Sequence, residues 1–337
     1  RFAAADGALT TSAFVGVTLS FFADSGRFFT LKDKVYRFYD EAGALLFSGM
    51  DGYPLHDADP STPVPLTAVQ KAAFRDVLGQ VSQLTGLSLT ETTLGDPRAI
   101  YIANTGSEAT GLAAYPLSFY LQPLAGDIEL VAGTLGSPAL GTLDRQAFQV
   151  AAGSVLGLKI ATVPQDWGLA ADVDPNPAVL DASKASFEFT SMLSKEAGSG
   201  GYPQSWMMLD IQALQYLYGA DYTTNAGDTY YGFSPVTGGM IVDTAPSGVP
   251  KLADGVTNSN ILFRTLWDGG GRDRYDFSAY DASYSMSIDL RPGGWTDVDV
   301  AGNRQAALID AGTGTYARGQ VYNALLAGGD TRSLIEI

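Results

Sequence analysis

The chain has no cysteine, a single histidine, and 20 basic residues against 36 acidic ones in a length of 337. Without thiols it has neither disulfides nor a thiolate metal site. A chain of this length buries enough surface to fold without staples, so the absence is compatible with secretion. The one histidine, His56, sits among turn formers in GYPLHDADPST and reads as a solvated loop residue. A Ser-His-Asp triad would have to use it, and no G-x-S-x-G elbow occurs anywhere. The deficit of basic residues leaves a net charge of -16 and a pI near 4.3. Such a surface repels phosphate backbones and anionic lipid, which argues against nucleic acid as a partner and favours cations. No apolar run reaches the length of a membrane span, so no membrane insertion is expected, and no cleavable signal is visible.

What is present is periodic. The length suggests about two domains. In LTAVQKAAFRDVLGQVSQLTG, residues 66–86, Thr67 and Gln70 make a capping box, and Ala73, Phe74, Val77, Leu78, Val81 and Leu84 recur at helical spacing. Gly86 is expected to close this helix. Short strands are expected at 17–22, 87–92, 99–103 and 127–133, and further helices at 144–161 and 207–220. Glycines, 39 in all, crowd the loops and the second half, as tightly turning β structure requires. Asp127 and Glu129, two apart on one strand face, are weighed as paired carboxylates for sugar hydrolysis and read instead as surface charge. Tyr218, Tyr230, Tyr231, Phe233, Tyr275, Phe277, Tyr280 and Tyr284 are read as packing of a β-sandwich rather than a glycan platform. The hexapeptide from Asp268 to Asp273, DGGGRD, has acidic residues five apart with glycines between, which suits a turn that aims carboxylates and carbonyls at a calcium ion.

The succession of these segments resembles the serralysin family of secreted zinc proteases over residues 13–336. The segments MMLDIQALQYLYGA (207–220), NAGDTYYGF (225–233) and LWDGGGRDRYDFSAY (266–280) carry the most specific part of the likeness. In DRQAFQVAAGSVLGLKIA, the metzincin zinc helix H-E-x-x-H-x-x-G-x-x-H aligns through Gly153 and Gly157. Its three histidine positions then fall on Val150, Ser154 and Ile160, and its general-base glutamate on Ala151. FTSMLS, residues 189–194, matches the Met-turn, with Met192 as its methionine and Ser194 where the family has a metal-reaching tyrosine. None of these side chains supplies the ligands or base of zinc proteolysis. The resemblance therefore implies a frame without its catalyst: no zinc, and not an enzyme.

The same resemblance implies about two calcium ions. One would use backbone oxygens near Asn225 and Gly227, Thr229, Asp268, Gly270 and Asp273; the other Gly271, Asp273, the Leu334 carbonyl and the Glu336 carboxylate. It implies an α+β fold: a metzincin-like domain at 1–220, with a mixed sheet and two long helices, then an all-β sandwich or β-roll calcium-binding domain at 221–337. The chain is expected to be an excerpt that would run on past Ile337 into glycine-rich (RTX) calcium repeats and to be exported by type I secretion machinery. The expected function is a secreted calcium-binding pseudoprotease, serving as a structural, adhesive or peptide-binding extracellular module. Expected partners are a protein or peptide in the old cleft, beside the edge strand at 111–119, or further copies of the chain through self-assembly. The alternative is a hydrolase with a rebuilt site in that cleft, marked by a cluster of perturbed acids near Ser154 and Met192.

Overall fold

The computed structural model describes residues 35–38, 65–92, 100–105, 112–114, 128–131, 133–158, 160, 180, 182–243, 251–254 and 259–337. The strand expected at 17–22, His56 and Asp127 lie outside the described residues. Helix α1, Ala68–Leu84, starts on the capping box read from the sequence, with Thr67 and Gln70 bonded reciprocally. Gln70 is also buried against Asn104, whose amide donates to the Pro65 carbonyl, so the cap is tied to the neighbouring sheet. Gly86 does not close this helix. Thr85 ends it in an extended conformation with its hydroxyl on the Val81 carbonyl, and Gly86 takes no left-handed conformation.

Strands β1 (Val35–Phe38), β2 (Thr90–Glu91), β3 (Ile100–Thr105), β4 (Leu112–Ala114) and β5 (Ile128–Val131) form one mixed sheet in the order β2-β1-β3-β5-β4. All pairs are parallel except β4 with β5, so β4 is an antiparallel edge strand. Glu129 lies on β5, between β3 and the edge strand β4, in register with Ala103 and Ala113. Helix α2, Leu143–Val155, is shorter than its periodicity suggested, and helix α3, Met208–Tyr218, follows later. Phe148 of α2 stacks on Phe74 of α1 with centroids 4.2 Å apart and planes 11° apart. Arg145, buried in the same interface, donates to the Ala73 carbonyl and pairs with Asp76.

After α3 the described elements are strands and short 3-10 turns. Strands β6 (Tyr230–Phe233), β7 (Met240–Asp243), β8 (Lys251–Asp254) and β10 (Arg274–Asp276) form a sheet in the order β10-β6-β7-β8. Strands β9 (Arg264–Leu266), β11 (Ser287–Ile288), β12 (Trp295–Asp297) and β15 (Val321–Asn323) form a second, in the order β11-β12-β15-β9. A hairpin of β13 (Leu308–Asp310) and β14 (Thr315–Tyr316) completes the set. Two pairs are parallel, β10 with β6 and β15 with β9, and a further parallel bridge joins Asp273 to Ile335. The chain thus coils, crossing from one sheet to the other through the 268–273 turn and laying its last residues along β10. Tyr231, Phe233, Tyr275 and Ile335 meet Leu266 and Val321 in one buried cluster. The larger cluster holds the three helices and also Phe263, Trp267, Ala307 and Tyr322, so apolar packing is continuous past residue 220.

Because Phe148 is fully buried between two helices, Phe148→Ala should cost about 3–5 kcal/mol, read as a lower denaturant midpoint at unchanged m.

Candidate metal centre

Helix α2 ends in a Schellman motif. Leu158 N–H donates to the Gly153 carbonyl at 2.8 Å and Gly157 N–H to the Ser154 carbonyl at 3.1 Å, with Gly157 at φ +94°. This is where the zinc-helix motif requires its glycine. Met192 lies directly beneath: a Cβ on Gly153 would stand 2.5 Å from its Sδ and 3.1 Å from its Cε. The helix therefore places Val150 half-buried, Ala151 and Ser154 buried, and Ile160, past the turn, 42% exposed. Ser194 is exposed. Val150, Ala151 and Ile160 present only hydrocarbon, which does not fit a zinc ion.

The turn carrying Met192 is held by Asp210, in the first turn of α3. Its carboxylate accepts from Thr190 Oγ1 (2.5 Å), Ser191 N (2.7 Å), Ser191 Oγ (2.7 Å) and Met207 N (3.1 Å). Burial raises its pKa, and these donors oppose the rise. A perturbed acid beside Met192 is the sign expected of a rebuilt hydrolase. Asp210, however, is wholly buried and its oxygens are taken up by structural donors, so it acts as a clamp. Gln146 of α2 adds two bonds from its amide, to the carbonyls of Ser191 and Leu193, both at 2.9 Å. Glu188, just upstream and also buried, accepts from Arg318 N (2.9 Å), Arg318 Nε (3.0 Å) and the Tyr322 hydroxyl (2.7 Å).

A different arrangement forms where three distant segments converge. Asp268 and Asp273 are 1% and 0% exposed. Asp268 Oδ1 accepts from Gly270 N at 2.8 Å, and its Oδ2 from the Tyr231 hydroxyl at 2.6 Å. Asp273 Oδ1 accepts from Thr229 N at 2.8 Å, while its buried Oδ2 has no partner. The Thr229 hydroxyl reaches the carbonyls of Asn225 (3.1 Å) and Gly227 (2.8 Å). Asp273 N donates to Glu336 Oε2 at 2.8 Å, and Glu336 N returns a bond to the Asp273 carbonyl. Leu334 stands just before, ending a short 3-10 turn. Gly270 and Gly271 have φ of +142° and +140°, and a Cβ on Gly271 would run into the Gly227 carbonyl, so the turn closes only with glycine.

All the residues implied by resemblance, Asn225, Gly227, Thr229, Asp268, Gly270, Gly271, Asp273, Leu334 and Glu336, therefore lie on these three segments. Among the described residues no Lys or Arg forms an ion pair with Asp268 or Asp273. Burial, reinforced by the charges of Asp268 and Glu336, pushes the Asp273 carboxyl up to about 7, and burial also raises Asp268. A paired set of buried carboxylates with an orphaned oxygen and oxygen donors only fits a hard cation such as calcium. Among the described residues no three His, Cys, Asp or Glu side chains converge tightly enough to hold an ion by themselves, so any ion here needs backbone carbonyls as well.

The family described as Peptidase M10 serralysin C terminal matches residues 220–312, which contain this turn. Serralysin of Proteus mirabilis is 28% identical over 260 residues, 70% of this chain and 49% of its own length. Serralysin B of Dickeya chrysanthemi is 26% identical over 276 residues, covering 77% of this chain and 53% of its own. Over these stretches the chain is similar to the serralysin-type metalloproteases. It spans about half the length of these two relatives. Serralysin A of Dickeya chrysanthemi is 36% identical over 99 residues, 29% of this chain and 18% of its own length. A solved structure titled "Structure of myroilysin" aligns with a TM-score of 0.32 at 12% identity, over 46% of this chain and 89% of its own, too slight a likeness to bear on the fold.

Two kinds of outcome follow from this geometry. Gly153→Ala drives a methyl into Met192 and should destabilise by about 1–3 kcal/mol in thermal or denaturant unfolding. Gly79→Ala, in α1 with nothing within 4 Å of its Cβ position, should instead stabilise by about 0.5–1 kcal/mol. The second kind concerns pH. A carboxyl whose pKa is higher folded than unfolded favours folding when protonated, and that contribution disappears as pH rises from its unfolded value, near 4, through its folded one. With divalent ions chelated, melting temperature should therefore fall between pH 4 and about 7 from this site, and Asp273→Asn should flatten that fall.

Proposed function

We propose that this chain is a calcium-binding pseudoprotease module of an exported protein: a serralysin-type frame that holds calcium and has given up zinc chemistry. The observation that carries the calcium reading is the buried pair Asp268 and Asp273, with Asp273 Oδ2 unpartnered and, among the described residues, no Lys or Arg in an ion pair with either. Calcium would draw on Asp268, Asp273 and Glu336 and on carbonyls of the 225–229 and 268–273 segments, and would supply the positive charge these acids lack. The loss of zinc chemistry is supported by the hydrocarbon side chains at positions 150, 151 and 160 and by Ser194. An α2 ending at Gly157 over Met192 supports the alignment on which those positions rest.

The module acts outside the cell, exported through a type I channel, and serves as a structural, adhesive or peptide-binding part. Its acidic surface suits an environment rich in calcium. Among the described residues no helix is long and apolar enough to cross a membrane. A peptide ligand would add as a strand beside β4, the antiparallel edge of the first sheet.

Elemental analysis of the purified chain, after dialysis into calcium-containing buffer without chelator, should count about two calcium ions and no zinc, and casein should remain uncut. Less than one calcium per chain would overturn the calcium reading. Stoichiometric zinc together with chelator-sensitive cleavage of casein would overturn the pseudoprotease reading.

A further inference from the structure

Two acids buried side by side repel each other, and a calcium ligand must be aimed before the ion arrives if binding is not to pay for ordering it. Asp268 is aimed by two donors. The Gly270 amide fixes one oxygen, and the Tyr231 hydroxyl, 1% exposed on β6, fixes the other at 2.6 Å. That hydroxyl has a second partner: it accepts from Asn225 Nδ2 at 3.0 Å. Asn225 holds a left-handed backbone conformation, φ +52°, which Asn tolerates better than most side chains. Its own carbonyl stands 3.1 Å from the Thr229 hydroxyl, among the oxygens of the centre. The Tyr231 ring is fixed in turn by Tyr275, edge-on at 6.0 Å and 90°. A single phenol thus joins the 225–229 loop to the 268–273 turn.

We propose that Tyr231 is a positioning residue for the calcium centre, holding Asp268 and the Asn225 loop in ligand geometry through one hydroxyl group. This rests on the calcium reading of the site. Phenylalanine at this position keeps the ring packing and removes both hydrogen bonds. Asp268 is then aimed by the Gly270 amide alone, with its second oxygen released, and the Asn225 side chain loses its partner. Partners that orient metal ligands typically cost about 10- to 100-fold in metal affinity when removed.

The test compares Tyr231→Phe with Tyr275→Phe. Tyr275 is a second buried phenol of the same sheet, and its hydroxyl bonds Asn323 rather than a residue of the centre. Calcium affinity is measured by competition with a chromophoric chelator. Europium luminescence lifetimes in H2O and D2O count the waters left on a bound ion, a readout that loss of stability alone does not move. Tyr231→Phe should weaken calcium binding by about 10- to 100-fold and raise the water count on europium, with Tyr275→Phe unchanged in both. Failure of the unaltered chain to bind calcium would overturn the underlying reading of the site. Calcium binding by the unaltered chain, with Tyr231→Phe equal to it, would overturn the positioning role alone, as would equal losses in the two variants. Should Tyr231→Phe not fold in saturating calcium, Asn225→Gly decides. It removes the amide from Tyr231 and accepts the left-handed backbone, and it should weaken binding in the same direction; unchanged affinity would overturn the proposal.

Discussion

Six residues, 188–193, hold the helices and the strands that follow them in one register, and almost every polar group they carry is committed to doing so. Glu188 reaches forward to Arg318 and Tyr322 on the strand side. The Phe189 carbonyl accepts from Leu209 N, and Thr190 and Ser191 donate to Asp210, which fixes the start of α3. The carbonyls of Ser191 and Leu193 accept from Gln146 of α2, and Met192 fills the space that Gly153 leaves. A short irregular segment has no ladder to satisfy its backbone, so burying one demands that each group find a partner elsewhere. Here those partners sit on α2, α3 and β15, and satisfying the segment is the same act as docking these elements together.

Asp210 and Asp273 are both fully buried acids, and the difference between them separates architecture from site. Burial costs each carboxylate its hydration. Asp210 recovers it from four donors, two backbone amides and two hydroxyls, at the positive end of a helix. Asp273 recovers only part, from one amide, and faces Asp268 and Glu336 across the same turn. A chain of net charge -16 has no surplus of cations to place there. The imbalance is local and specific, which is the signature of a group arranged for something outside the chain rather than for the chain itself.

Much of this was legible in the sequence where the governing contacts are local. The capping box at Thr67 and Gln70, the apolar stripe of α1 and the glycine turn at 268–273 depend on residues within a few positions of one another. The end of α1 was misread because a glycine after a helix usually supplies a left-handed cap, whereas here the Thr85 hydroxyl closes the last turn and Gly86 lies against the Tyr218 carbonyl. The extent of α2 was overread because its apolar periodicity runs on past the Schellman turn at Gly157. Tyr231 was legible only as a core aromatic. Its hydroxyl finds Asp268 far along the chain, and no spacing announces that. Asp210 and Glu188 were invisible for the same reason, since a buried acid looks like a surface acid until its donors are in place.

The two metal sites implied by the resemblance stand in different energetic positions, and in the proposed reading this is how one is lost and the other kept. Around α2 the polar groups that define the frame, the Schellman carbonyls and the turn above Asp210, are satisfied by protein atoms. Hydrocarbon at 150, 151 and 160 leaves no buried charge behind, so replacing ligands there costs little stability. The 268–273 turn lacks that independence. Exchanging its acids one at a time would leave the others buried and unpaired, and keeping them all without an ion leaves an orphaned oxygen. In the proposed reading, selection on folding alone can therefore preserve the calcium centre after selection on proteolysis has lapsed, because the strands on either side of the turn are joined through it.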